Sequence, residues 1–285
     1  MPRFGAHLSI AGGLVRAVER ARRLRADCLQ VFLKSPTQWR FGPLTDETAK
    51  HFRREARQAG LVPVVGHASY LLNLASPDRA LRRRSERCLM EEWDRAERLG
   101  LDALVLHPGS HTGSGEAAGL ARIIRVIDRL HARRPRQRVF LALETTAGAG
   151  DVLCGRFQHL RAILDGCADG QRLAVAIDTC HLWAAGYDLA TSRAVDETLG
   201  KLDRTVGLDR VRVVHANDAR GALGSGLDRH AHIGRGKIGR EGFRALVNHP
   251  ALRDLPFILE TPKEGPRGKE MDPVNLRTLR RLVAG

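Results

Sequence analysis

The sequence predicts an α/β protein, a (β/α)8 barrel in a single domain over residues 1–285. Three observations carry that expectation. Eight short apolar runs are each bounded by polar, Gly or Pro residues, as strands are. A stretch with helical periodicity follows each run. The run ends lie 27 to 45 residues apart, room for a loop, a helix and a return loop.

The elements follow in order. FGAH ends on His7, and Leu14 to Leu24 then places apolar residues at 14, 15, 17, 18, 21 and 24, one helical face. CLQVFLK ends on Lys34, before a helix over Thr45 to Ala59 that opens on a cap-like Thr-Asp-Glu and stops at Gly60. VPVVGH ends on His67, before the long amphipathic stretch Pro77 to Leu99, stopped by Gly100. ALVLH, VFLALE and LAVAID end on His107, Glu144 and Asp178, followed by helices over Ala117 to His131, Arg156 to Leu164 and Ser192 to Val206. VRVVH ends on His215 and leads into a long Gly-rich connection, Ala216 to Arg240, then a helix over Glu241 to Val247. PFILE ends on Glu260, and Pro273 to Val283 closes the barrel.

Seven of the eight terminal residues can bind a metal or move a proton, and a barrel of this class carries its chemistry at the carboxyl ends of its strands. From His67 onward six His, Asp and Glu residues fall one per strand, a ring converging on one pocket. His181 and the loop residues Asp228 and His230 bring the candidate metal ligands to nine: five His, two Asp, two Glu and no Cys. Imidazole with carboxylate suits zinc, manganese or iron. Nine donors exceed what one ion needs, so two or three ions are expected, with a bridging carboxylate. Asp228 and His230, one residue apart, point the same way in an extended loop. Asp178 and His181 are expected to diverge and serve different ions. His7, His111 and His232 are supporting candidates, while His51, His131, His159 and His249 fall in helices or at their ends and are expected at the surface.

Composition narrows the class. No apolar run approaches the roughly 20 residues needed to span a bilayer, and no leader-like start precedes the first strand. Five cysteines without CxxC spacing read as free thiols in a reducing compartment, so the cytoplasm is the expected location and no membrane is involved. A net charge of +15 fits a polyanionic partner, most simply nucleic acid, although an Arg-rich composition is a second source of it. The Arg82 to Arg84 group and the cluster of Arg133, Arg134, Arg136 and Arg138 are expected on outer helices or at the barrel bottom, as solvated surface.

GHASYLLNLA around His67, LHPGSH around His107, LETTAG from Glu144, IDTCHLWAAGYD around Asp178 and His181, HANDAR from His215, DRHAHIGRGKIG around Asp228 and ILETP at Glu260 together resemble the endonuclease IV family. These are apurinic/apyrimidinic endonucleases of base-excision repair, and the likeness runs from GAHLSIAGG to ILETP. The resemblance implies a TIM barrel with three Zn2+ ions, Mn2+ being the alternative in one or more sites. It assigns His67, His107 and the bridging Glu144 to one ion, and Glu144, Asp178, His215 and Glu260 to a second. His181, Asp228 and His230 fall to the third. Glu144 and Glu260 are the catalytic carboxylates on this reading.

The implied substrate is double-stranded DNA with an abasic site, cut 5′ to the lesion to leave a 3′-hydroxyl and a 5′-deoxyribose phosphate. Blocked 3′ ends are a second substrate. Gln38, Tyr70 and Leu71 match residues that enter the gap in the DNA, and Arg229 is a further expected DNA contact. Ser35 and Thr37 stand where Asn and Arg are common, so one arginine of the wedge is expected to be absent. Thr145 replaces Asn, and Arg235 replaces an acid. A monomer, nucleoid-associated through DNA, is the expected state.

Two other readings compete. A sugar isomerase or epimerase on a related barrel would use Glu144, Asp178, His215 and Glu260 around one ion, and would leave the other five donors and the basic charge unexplained. A non-catalytic DNA-binding barrel would require ligands to be missing, and none is.

Overall fold

The computed structural model describes residues 1–284. Eight parallel strands close into a barrel: β1 (Arg3–His7), β2 (Cys28–Phe32), β3 (Val64–His67), β4 (Ala103–Leu106), β5 (Phe140–Glu144), β6 (Leu173–Asp178), β7 (Val211–His215) and, last in the chain, β10 (Pro256–Leu259). Each strand pairs with its sequence neighbour, and β10 closes the ring between β7 and β1. The connection after β7 also holds a two-residue antiparallel pair, β8 (Asp218–Ala219) and β9 (His230–Ala231). The helices are α1 (Leu14–Leu24), α2 (Asp46–Gln58), α3 (Arg79–Leu99), α4 (Glu116–Arg133), α5 (Phe157–Gly166), α6 (Thr179–Ala184), α7 (Ser192–Thr205), α8 (Gly239–Asn248) and α9 (Asp272–Arg280).

Local chemistry explains the boundaries. The Thr45 hydroxyl accepts from the Thr48 amide at 3.1 Å and opens α2. The Asp78 carboxylate accepts from the amides of Ala80 and Leu81 and opens α3, which stops at Gly100 in the left-handed region, φ 67°. Inside the barrel a layer of small and branched side chains, among them Val65, Val105, Ala142, Ala176 and Ile258, fills the centre. A larger apolar layer lies between the strands and the helix ring. Register places the chemistry: Asp178 pairs with His215 and His7 with Gln30, so both pairs sit level at the carboxyl rim.

The structure corrects several expectations. The second strand stops at Phe32, two residues short of Lys34. Lys34 is buried beyond the strand end, 3.7 Å from Glu92 of α3. His131 and His159 are buried rather than at the surface. His131 shares the inward face of α4 with Ile127 and packs on Trp93, ring centroids 5.6 Å apart. His159 shares the inward face of α5 with Ile163 and accepts from the Cys154 amide at 3.0 Å. Helix α6 is absent from the sequence reading, because its six residues are too few to show a period. The connection after β7 is less irregular than expected. The buried Asp218 carboxylate accepts from the amides of Gly234, Gly236 and Ile238 and folds that loop back on itself. All five cysteines are free and buried, and among the described residues no helix is long and apolar enough to cross a membrane.

Candidate metal centre

The nine donors expected at the strand ends and in the loop after β7 do meet at the carboxyl mouth of the barrel. Glu144, at the end of β5 and fully buried, lies at the centre. One carboxylate oxygen faces His67 Nε2 and His107 Nε2, each at 3.1 Å, and the other faces His215 Nδ1 at 2.9 Å. His215 Nδ1 also lies 3.3 Å from Glu260 and 3.9 Å from Asp178. Asp228 lies between His181 and His230, at 3.3 and 3.2 Å from their Nε2 atoms. Donor atoms of His67, His107 and Glu144 fall within 4.8 Å of one another, as do those of Glu144, Asp178, His215 and Glu260. Near the third set, Asp178, His181 and His230 form one such group and Cys180, Asp228 and His230 another. Cys180 is buried, and that burial pushes its thiol up.

The expected divergence of Asp178 and His181 holds only in part. Asp178 caps α6, its carboxylate accepting from the His181 amide, and the helical turn brings His181 Nδ1 to 4.0 Å from it. The other ring nitrogen, Nε2, turns away towards Asp228.

Side chains and carbonyls around the donors fix which nitrogen is free. A carbonyl oxygen can only accept, so His67 Nδ1 donates to Ala68 O at 2.7 Å, His181 Nδ1 to Thr145 O at 2.8 Å and His230 Nδ1 to Glu260 O at 3.1 Å. Each then presents the lone pair of Nε2 to the pocket, the arrangement usual for a metal-ligating imidazole. Gln30 completes the set. Its amide nitrogen donates to Glu260 at 2.6 Å, which orients its oxygen to accept from His215 Nε2 at 2.8 Å and frees His215 Nδ1. Asn217 donates to Asp178 at 2.6 Å and accepts from the Glu260 amide at 2.8 Å. His7 bonds Glu260 at 2.8 Å, as its place at the first strand end suggested. His111 instead accepts from the nearby Gly115 amide, and His232 bonds Asn275 of α9. Sequence reasoning missed Gln30 and Asn217. For Gln30 the signal was a buried amide inside an apolar run; for Asn217 there was none beyond its place two residues after His215.

The electrostatics are those of a cation trap. Burial pushes Glu144 up, but His107, His215 and His67 outweigh it and hold the carboxyl well below the usual range. Burial disfavours charge on His215, yet Glu260 and Glu144 raise it to about 9; Asp178 and Asp228 do the same for His230. Burial instead lowers His7, to about 4, and lowers His107 as well. Buried carboxylates in this number are costly without cations. The Nε2 atoms of His7 and His230 are buried with no hydrogen-bond partner among the described residues. Orphaned imidazole nitrogens among carboxylates fit divalent metal ions. The centre is open on one side, where the Asp228 side chain is 54 % exposed.

Two of the residues expected at DNA, Tyr70 and Leu71, lie at that opening. Tyr70 is 58 % exposed, with its ring centroid 5.5 Å from that of His67. Tyr70, Leu71, His107, His181 and Asp228 line one cavity of about 470 Å3. Gln38 is exposed in the loop after β2, and Arg229 is exposed beside Asp228, its guanidinium bonding the Asp228 carbonyl at 2.8 Å.

The chain matches known proteins over its whole length. A family described as Xylose isomerase-like TIM barrel matches residues 18–281. A probable endonuclease 4 of Chloroflexus aurantiacus is 47% identical over 287 residues, covering 100% of this chain and 99% of the relative. One from Geobacter sulfurreducens is 44% identical over 280 residues, covering 98% of this chain and 94% of the relative. The crystal structure of endonuclease IV from Thermus thermophilus superposes with a TM-score of 0.87 at 39% identity, covering 99% and 98% of the two chains. A D-tagatose 3-epimerase-like protein superposes with a TM-score of 0.74 at 19% identity, a likeness of fold alone.

Proposed function

The chain belongs to the endonuclease IV family and is an endonuclease of DNA repair, and from that premise we propose that it hydrolyses the phosphodiester 5′ to abasic sites in duplex DNA with three divalent ions. The products are a 3′-hydroxyl and a 5′-deoxyribose phosphate, and blocked 3′ ends are cleaned at the same site. The observation that carries the reading is the gathering of nine imidazole and carboxylate donors around Glu144 at one barrel mouth. A one-ion sugar isomerase needs four of them and leaves His67, His107, His181, Asp228 and His230 without a task.

His67, His107 and Glu144 would hold one ion, Glu144, Asp178, His215 and Glu260 a second, and His181, Asp228 and His230 the third. Zinc is the expected metal, with manganese the alternative. Such ions supply Lewis acidity and a water acidic enough to ionise near neutral pH. The chain's own residues do the rest. Ala68 O, Thr145 O, Gln30 and Glu260 O orient four imidazoles before substrate arrives, so little reorganisation remains for the reaction. Asn217 ties the carboxylate of Asp178 to the backbone of Glu260, keeping β6 and β10 in step.

DNA binding falls to the rim. An abasic nucleotide has lost its base and leaves the stack at little cost. Tyr70 and Leu71 enter the gap, with Gln38 beside them, and Arg229 is a further DNA contact. Thr37, in place of an arginine, leaves more of that work to Tyr70 and Leu71. The same reading has the chain acting as a single-domain monomer in the cytoplasm, held at the nucleoid by DNA. Metal content by mass spectrometry, paired with incision of a duplex holding one abasic analogue, tests it. Three ions per chain and a nick are expected, whereas one ion and ketose isomerisation would reverse the reading in favour of the isomerase.

A further inference from the structure

A groove lined by arginines runs down the outside of the barrel between α3 and α4, with a volume of about 510 Å3. Arg79, Arg83 and Arg87 line it from α3 and Arg125 from α4. All four are exposed, and none makes a side-chain ion pair or hydrogen bond among the described residues. Among the described residues Glu86 is the one acid lining the groove, and it is already engaged at the lower end, accepting from Arg129 at 2.6 and 3.0 Å and from Arg133 at 3.4 Å. The upper and middle parts therefore hold uncompensated positive charge. Burial, followed by the fields of Arg122, Arg125, Arg129 and Arg79, lowers the Arg82 guanidinium below its ordinary value, as expected for crowded cations.

Such crowding destabilises the fold unless something anionic relieves it. The groove's place says what that is. In this barrel α3 and α4 begin just after the loops of the catalytic mouth. Arg122 fixes the upper end of the groove to those loops, donating to Ala75 O at 3.1 Å and to the Ser114 hydroxyl at 2.8 Å. Ala75 follows Tyr70 and Leu71 in the same loop. A duplex seated over Tyr70 and leaving the mouth on this side meets the groove next. From Arg122 to Arg133, α4 extends about 16 Å at 1.5 Å per residue, over which one DNA strand carries about five phosphates.

We infer that the α3–α4 groove is a second DNA-binding surface, which takes the sugar-phosphate backbone of duplex outside the lesion. It reads no sequence, because guanidinium–phosphate contacts carry none. Its work is to raise affinity for long DNA and to hold the enzyme on undamaged duplex between lesions. The inference rests on the DNA reading of the barrel mouth, and the test keeps the two apart.

The test uses a groove variant, Arg79→Gln, Arg83→Gln, Arg87→Gln and Arg125→Gln together. A control variant removes equal charge elsewhere through Arg23→Gln, Arg57→Gln, Arg204→Gln and Arg244→Gln, which lie on α1, α2, α7 and α8. Each is titrated over a range of salt with two probes, a short abasic duplex that covers the mouth only and the same duplex extended on both sides. The groove variant should bind the extended duplex about 10-fold more weakly and flatten its log–log salt slope by about 2 to 3, at roughly 0.9 for each phosphate no longer neutralised. It should bind the short duplex, and nick it at saturation, as the parent does. Equal losses in groove and control variants, or equal losses on both probes, would overturn the groove as a distinct surface. Failure of the unsubstituted protein to nick the short duplex would instead count against the reading of the mouth.

Discussion

Replacing Lys34 with Met is a sharp test of how the rim is held. The Lys34 side chain is 2% exposed, and its ammonium lies 3.7 Å from Glu92, itself 1% exposed. Lys34 also donates to the carbonyls of Ser35 and Gln38, in the loop that carries Gln38. Glu92 accepts from the Ser69 amide at 3.1 Å, and the Ser69 hydroxyl donates to Pro36 O at 2.6 Å. One buried pair thus ties the Gln38 loop to the loop of Tyr70 and Leu71. Removing one partner of a buried pair costs roughly 3–5 kcal/mol if the other stays charged. Here Glu92 has an escape. Burial already pushes it from 4.5 to about 7, against the attraction of Lys34, and without Lys34 it must rise further.

A carboxyl raised in the fold stabilises fully only below its unfolded value, and that contribution is lost as pH rises to the folded value. The parent therefore levels off near pH 7, while Lys34→Met goes on losing stability. The gap should widen by about 1.4 kcal/mol per pH unit, or roughly 2 kcal/mol by about pH 8.5. Urea melts at about pH 6 and about pH 8.5 measure it. Parallel pH dependences in parent and variant would refute the pairing. Adding Glu92→Gln to Lys34→Met should remove the widening.

Other substitutions probe the metal centre and the wedge. Glu144→Ala should abolish incision and lower metal content by more than one ion, as read by mass spectrometry, because its two oxygens face different donor sets; full occupancy would show that Glu144 does not bridge. Gln30→Leu, which frees His215 Nε2 and unties Glu260, should weaken metal retention against a chelator about 10- to 100-fold, with the barrel still folded by circular dichroism. Tyr70→Ala should cost about 1–3 kcal/mol in binding to abasic duplex at fixed salt and less on intact duplex. Equal losses on both DNAs would reject the wedge.

The barrel was legible because its signals are local and repeated. Eight bounded runs and their helices recover every strand of the barrel and, among the described residues, eight of the nine α-helices, with α1 matched end to end. The donors were legible for a related reason, since strand ends share one rim and therefore one pocket. What was hidden depends on contacts across the barrel. Gln30 reads as a polar blemish in a strand until His215 and Glu260 arrive from far along the chain. Lys34 reads as a strand end, and only the packing of α3 reveals Glu92 as its partner. His131 and His159 carry polar side chains on inward helix faces, where a reading by residue type alone assigns them to the surface. The Arg82 to Arg84 group on α3 and the cluster that begins at Arg133 on α4 read as separate solvated surface in sequence, and Arg82, Arg83 and Arg133 come to share one groove only when the two helices are packed side by side.

The donor set around Glu144 is proposed to hydrolyse the phosphodiester 5′ to an abasic site. End-group analysis of a nicked abasic duplex tests it most directly. Hydrolysis on the 5′ side leaves a 3′-hydroxyl that a polymerase extends without further processing, a 5′-deoxyribose phosphate on the downstream strand, and no adduct trapped by borohydride. A 3′ unsaturated aldehyde as the main product, or a borohydride-trapped enzyme–DNA adduct on the productive path, would contradict it.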